Sequence, residues 1–123
     1  MGGILDKYLG DFIEASKVLA ILVAERESYM YVDKLSHAPS NDLALFYLQE
    51  ALRDLHSLLR SGKFENKRAE DEAKKLNYGR IGRALEQFPK IEDRKELREI
   101  TSLLASKALV ISSAFREEGE ESE

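Results

Sequence analysis

Cysteine is absent from this chain of 123 residues, which excludes disulfide frameworks, thiolate metal sites and a cysteine nucleophile. Histidine is nearly absent: His37 and His56 are the only two, too few for a histidine-based metal centre. Carboxylate pairs such as Glu92/Glu96 do not make up the shortfall, because no Glu-x-x-His spacing of the kind that builds two-metal sites in bundles accompanies them. No cofactor or metal is therefore expected. The longest apolar run, Val18 to Ala24, has seven residues, against the roughly 20 needed to span a bilayer. The opening Met-Gly-Gly-Ile-Leu-Asp lacks a basic n-region, so no secretory signal is expected. A soluble, cytoplasmic protein follows as the expectation, with no membrane partner.

Charge is what the chain has in quantity. Charged residues make up 34% of it, while Asn and Gln together number five. That bias resembles the composition of thermophile proteins. The length suits one domain with a real core, expected over residues 1–115. The remaining 116–123, Arg-Glu-Glu-Gly-Glu-Glu-Ser-Glu, has no apolar residue and reads as a short, acidic, disordered tail.

Apolar positions recur at three and four residues and never alternate for long, so the fold class expected is all-α, an antiparallel four-helix bundle with a long N-terminal helix. The first helix is expected over Ile4–Leu35. Leu5, Tyr8, Phe12, Ala15, Leu19 and Leu22 form its stripe, and Val18, Ile21 and Val23 widen it until the helix must be covered on more than one side. A straight helix of that span would be about 48 Å long, so it either breaks near Ser28 or overhangs its neighbours. Ser40 reads as the N-cap of a second helix. Its seam is Leu45, Leu48, Leu52, Leu55 and Leu59, and Gly62 reads as its left-handed stop. A third helix is expected over residues 64–88, with Glu70–Lys74 and Asp71–Lys75 as ion pairs one turn apart. A fourth runs from Asp93 to Phe115, turning Leu97, Ile100, Leu104, Ala108, Ile111 and Phe115 inward.

The charges are not spread evenly. Residues 60–83 hold eight basic side chains, Arg60, Lys63, Lys67, Arg68, Lys74, Lys75, Arg80 and Arg83, against four acids. The stretches on either side are each acidic. A basic segment in an acidic protein is a candidate contact for nucleic-acid backbone, independent of sequence and steeply salt-dependent. Four interleaved acids argue for a solvated helix face instead. Tyr78 is the only aromatic well inside the segment, which limits base stacking. Tyr29, Met30 and Tyr31 form a second candidate surface, for a protein partner, since Tyr and Met are enriched at interfaces.

Other motifs carry less. Gly79-Arg-Ile-Gly-Arg83 has glycines placed as at the end of a dinucleotide-binding loop, but Asn77 stands where that loop needs its first glycine, and a charged helical stretch precedes it where a strand belongs. The glycines read instead as close helix packing or a hinge. Arg53 and His56 are too close together to match the helical-bundle ribonucleases, so no catalytic residue is assigned and no enzymatic activity is expected.

The layout resembles the small, Csa-type helical subunit of archaeal type I-A CRISPR interference complexes. What carries the resemblance is a long N-terminal helix ending in Ser28-Tyr-Met-Tyr-Val-Asp-Lys-Leu-Ser-His-Ala38, a second helix over Leu43–Leu59, a basic middle and a hydrophobic last helix. It implies a non-catalytic subunit that packs among other protein subunits and supports RNA or DNA backbone through lysines and arginines, here the 60–83 segment. The residues leave two other readings open: an accessory subunit of a replication or repair enzyme whose acidic tail mimics DNA, and a self-associating helical adaptor without nucleic-acid contact.

Overall fold

The computed structural model describes residues 3–121, and among these every regular element is a helix. In chain order they are α1 (Ile4–Lys7), α2 (Leu9–Arg26), α3 (Met30–Ser36), α4 (Asn41–Ser61), α5 (Lys67–Lys75), α6 (Tyr78–Gln87), a 3₁₀ turn (Phe88–Lys90) and α7 (Arg94–Glu121). The all-α expectation holds. The four expected helical stretches are subdivided into seven α-helices among the described residues.

The fold is organised around α2. Its unbroken apolar run, Val18 to Ala24, is buried on every side, because α4, α5, α6 and α7 all pack against it. Phe12 of α2 and Phe88, the first residue of the 3₁₀ turn, meet edge to face with ring centres 6.1 Å apart, a favoured aromatic geometry.

Of the two outcomes open to the long first helix, a break near Ser28 or an overhang, the structure has the break. Glu27 adopts a left-handed conformation at φ 51° and its N–H still bonds to Val23 O at 2.9 Å. The chain then turns through Ser28 and Tyr29 into α3. Arg26 and Tyr31 hold the corner from either side. Arg26 Nη2 lies 2.5 Å from Asp54 Oδ1, and the Tyr31 hydroxyl donates to Asp54 Oδ2 at 3.2 Å.

The second helix starts and stops as expected. The Ser40 hydroxyl accepts from Leu43 N, and Gly62 is left-handed at φ 67° with its N–H on Leu58 O. Its buried face is shifted by part of a turn, however. Ala44, Leu48, Ala51, Leu55 and Leu58 are buried, while Leu45, Leu52 and Leu59 are only partly so. Small alanines at 44 and 51 let α4 settle close to its neighbours, which turns the leucines beside them toward the edge of the core.

The third stretch is two helices, not one. Leu76 at ψ 140° ends α5, and the side chains of Asn66 and Asn77 cap the starts of α5 and α6 by accepting from Ala69 N and Arg80 N. Two carboxylates of α2 complete those caps. Glu25 accepts from Glu65 N and Asn66 N, both at 2.9 Å at closest, and Glu14 accepts from Asn77 N at 2.8 Å. Negative charge at a helix start satisfies orphan N–H groups and suits the dipole.

The last helix buries Leu97, Ile100, Leu104, Ala108 and Phe115, with Ile111 partly buried. It does not stop at Phe115. It runs to Glu121, into the stretch expected to be a disordered tail, while residues 122 and 123 lie outside the described residues. The continuation has a physical basis: Arg116 anchors the exit by donating to the Tyr29 hydroxyl at 3.3 Å, and the glutamates that follow are good helix formers. No helix among the described residues is long and apolar enough to cross a membrane.

Candidate functional site

The basic segment is dispersed over four places: the end of α4 (Arg60), the following turn (Lys63), α5 (Lys67, Arg68, Lys74, Lys75) and α6 (Arg80, Arg83). Much of its charge is answered locally. Lys67 bridges Glu70 at 3.3 Å and Asp71 at 3.8 Å, and Lys74 reaches Glu70 at 3.8 Å. Arg68 pairs with Glu72 at 3.1 Å and lies over the Phe115 ring, 5.6 Å from its centre. The expected Glu70–Lys74 pair is present, whereas Asp71 turns back to Lys67 instead of forward to Lys75.

The two arginines of α6 point at α2. Arg83 reaches both oxygens of Asp11 at 3.4 Å. The Arg80 guanidinium rests on Gly10, so close that a β-carbon there would sit 2.8 Å from Nη1. Gly79 and Gly82 both lie inside α6, with nothing within 4 Å of a β-carbon built on Gly82. They serve neither as a phosphate loop nor as a close helix contact; the bend comes earlier, at Leu76–Asn77. Arg60, Lys63 and Lys75 are exposed and form no ion pair among the described residues. Tyr78 has one face near the His56 ring, 5.4 Å between centres, and its hydroxyl donates to Ala73 O at 3.4 Å. Burial raises its pKa.

The Tyr29–Tyr31 surface splits. Tyr31 packs against the core and hydrogen-bonds to Asp54, because α3 turns it toward α4. Tyr29 and Met30 stay outside, 44% and 46% exposed. Tyr29 opens onto a shallow cleft of about 340 Å³ shared with Leu109, Ser112, Ser113 and Arg116 of α7. Beside Leu109 in the chain, Val110 is 70% exposed. The sequence carried a signal for this second face: from residue 100 to 115 Lys107 is the only charge, so apolar positions remain after the inward ones are assigned. Phe46, on α4, is another exposed aromatic that the leucine seam concealed.

Neither histidine gathers ligands. His56 is exposed beside Tyr78, and His37 Nδ1 lies 2.8 Å from Asp33 O. Among the described residues, no three His, Asp or Glu side chains converge as a metal site would need.

No family model and no solved structure matches the chain. It is 56% identical over 102 residues to an uncharacterized protein of Archaeoglobus fulgidus, an alignment covering 83% of this chain and 88% of that protein.

Proposed function

We propose that this chain, which belongs to the same family as that archaeal protein, is a non-enzymatic helical subunit that docks onto other proteins of a larger assembly. The docking surface is the one around Tyr29, Met30, Leu109 and Val110, whose cleft Arg116 and Glu117 also line. The 70% exposure of Val110 beside an exposed Leu109 carries this reading. Covering such side chains stabilises a complex by roughly 25 cal/mol per Å² of apolar surface removed from water.

In line with the resemblance to the Csa-type subunit, the assembly is proposed to be a nucleoprotein complex of the archaeal type I-A CRISPR kind, acting in the cytoplasm. The four helical stretches are taken as an antiparallel bundle whose last member presents the docking face. Contact with RNA or DNA backbone falls on Arg60, Lys63 and Lys75, since Lys67, Arg68, Lys74 and Arg83 already have carboxylate partners. That same pairing favours a second reading, a self-associating adaptor that touches no nucleic acid.

Purification from the native cell separates the two. The nucleoprotein reading expects other subunits and RNA to accompany the wild-type protein, and both to be lost with Val110→Glu. With Arg60, Lys63 and Lys75 changed to alanine, the subunits should remain and the salt dependence of nucleic-acid retention should flatten. The slope should fall by about 0.7–0.9 log–log units for each phosphate no longer neutralised. A protein that elutes alone, as a multimer of itself, supports the adaptor. Retention of every partner by Val110→Glu removes the proposed docking surface.

A further inference from the structure

The turn after α3 meets the beginning of α7 in a cleft of about 290 Å³, lined by Ser36, His37, Pro39, Arg94, Arg98 and Thr101 among others. Among the described residues, no carboxylate lines it. Arg94 and Arg98 stand one helical turn apart, so their side chains project from the same face. Neither forms an ion pair among the described residues. This contrasts with the arginines of α6, which lie against α2.

The histidine is set by its neighbour. His37 Nδ1 lies 2.8 Å from the main-chain oxygen of Asp33. A carbonyl can only accept, so Nδ1 carries the hydrogen and Nε2 is the ring's unengaged atom. The two hydroxyls are spent as donors: Ser36 donates to Val32 O at 2.9 Å, and Thr101, 3% exposed, donates to Arg98 O at 3.3 Å. The polar groups left to meet a ligand are therefore two guanidinium forks and one imidazole nitrogen. A fork of parallel N–H groups matches a tetrahedral oxyanion, and two of them on adjacent turns can grip one from two sides.

Carboxylates are close, but in the adjoining cleft. Asp42, Glu92 and Asp93 line that second space of about 310 Å³ together with Arg94. Asp93 is itself engaged, accepting from Glu96 N at 2.7 Å. Arg94 thus sits on a ridge between a basic hollow and an acidic one, a placement that would disfavour a second anion nearby and limit the site to one.

We propose that the cleft between the α3–α4 turn and the start of α7 is a phosphate site, with Arg94 and Arg98 as the donors and His37 Nε2, an acceptor in this tautomer, as a third contact that accepts from a protonated phosphate oxygen. The chemistry is that of a single phosphate group. It is met equally by the free anion and by the terminal phosphate of a nucleotide or oligonucleotide. The site is independent of the 60–83 segment and of the Tyr29 surface, so it stands whether or not either of those binds anything.

The test is amide-resolved NMR on the full chain, titrated separately with inorganic phosphate, a nucleoside 5′-monophosphate, and one oligonucleotide with and without a 5′-phosphate. Saturable shifts at residues 36–39 and 94–101 are expected. Arg94→Gln and Arg98→Gln should each weaken them by about tenfold or more, the scale of one charge-assisted hydrogen bond removed. Melting temperature should hold, since both arginines are exposed. Equal response to inorganic phosphate and monophosphate identifies the free group as sufficient; a response only to the 5′-phosphorylated strand identifies a nucleic-acid end. Either supports the site. Shifts that persist in the Arg94/Arg98 double variant, shifts confined to Arg60, Lys63 and Lys75, or no saturable shift with any of the four ligands, overturn it.

Discussion

Tyr31 and Asp54 join α3 to α4 through a hydrogen bond of 3.2 Å, with Arg26 of α2 on the other carboxylate oxygen. Three helices therefore meet at one carboxylate, beside the left-handed Glu27. The Tyr31 phenol is held above its ordinary pKa of 10.0, first by burial and then by the negative charge and hydrogen bond of Asp54. The folded state thus favours the protonated phenol. Its contribution is fully present below the unfolded value and is lost as pH rises through the higher folded one. Melting temperature should fall above about pH 10, and the fall should be shallower in Tyr31→Phe, with Tyr78, also raised, supplying the rest. An identical alkaline limb in both proteins would show that the corner does not sense the phenol. At neutral pH the same variant should lose about 1 kcal/mol, the usual net value of one hydrogen bond.

The shifted face of α4 sets an order among its leucines. Leu48 and Leu55 are at most 1% exposed, and truncating either to alanine should cost about 2–5 kcal/mol. Leu52 is only partly buried, so Leu52→Ala should cost about 1 kcal/mol, near the transfer value of the surface it still buries. Denaturant midpoints at constant m-value measure all three. A Leu52 cost equal to that of Leu55 would restore the seam read from spacing.

Glu25 is a side chain whose loss should act at a distance along the chain. Glu25→Ala leaves the N–H groups of Glu65 and Asn66 without their carboxylate. We expect a loss of about 1–2 kcal/mol, the scale of other removed helix caps. Hydrogen exchange at those two amides and through α5 should accelerate, while α4 is unaffected. Unchanged protection at residues 65 and 66 would remove the capping role.

Glu27 stands at φ 51°, a conformation that costs most residues roughly 1–2 kcal/mol and glycine almost nothing. Glycine loosens the unfolded chain in return, by about 0.4–1 kcal/mol. Glu27→Gly is expected to raise stability by about 0.5 kcal/mol or leave it level, as read by thermal melting. A clear loss would mean the Glu27 side chain holds the corner.

How much is legible in a sequence depends on how each feature is encoded. Ser40 and Gly62 are legible because a cap and a left-handed stop demand particular residue types. The all-helical class is legible from apolar periodicity. Helix length leaves a break near Ser28 open beside an overhang and does not decide between them, because no local residue announces a positive φ when glutamate occupies it. Alanines at 44 and 51 hide the true face of α4: they fit the same 3-4 spacing as the leucines next to them but carry little hydrophobic signal. The starts of α5 and α6 are available in Asn66 and Asn77, yet the charged run between them, Lys67 to Lys75, makes the stretch read as one helix. For the candidate surfaces, the charges can be read but not their partners, since Asp11 is far from Arg83 in the chain. Tyr29 can be read but not Leu109, which joins it only through the packing of α3 on α7.

The carboxylates of Glu14 and Glu25 hold α5 and α6 by main-chain nitrogen, and a peptide N–H is the same whatever side chain follows it. Attachment and surface are therefore separately heritable. The charges of α5 can be rewritten, toward more lysine or less, without unfastening the helices that display them. An ancestor could have changed what this face meets in the cell while leaving its scaffold untouched.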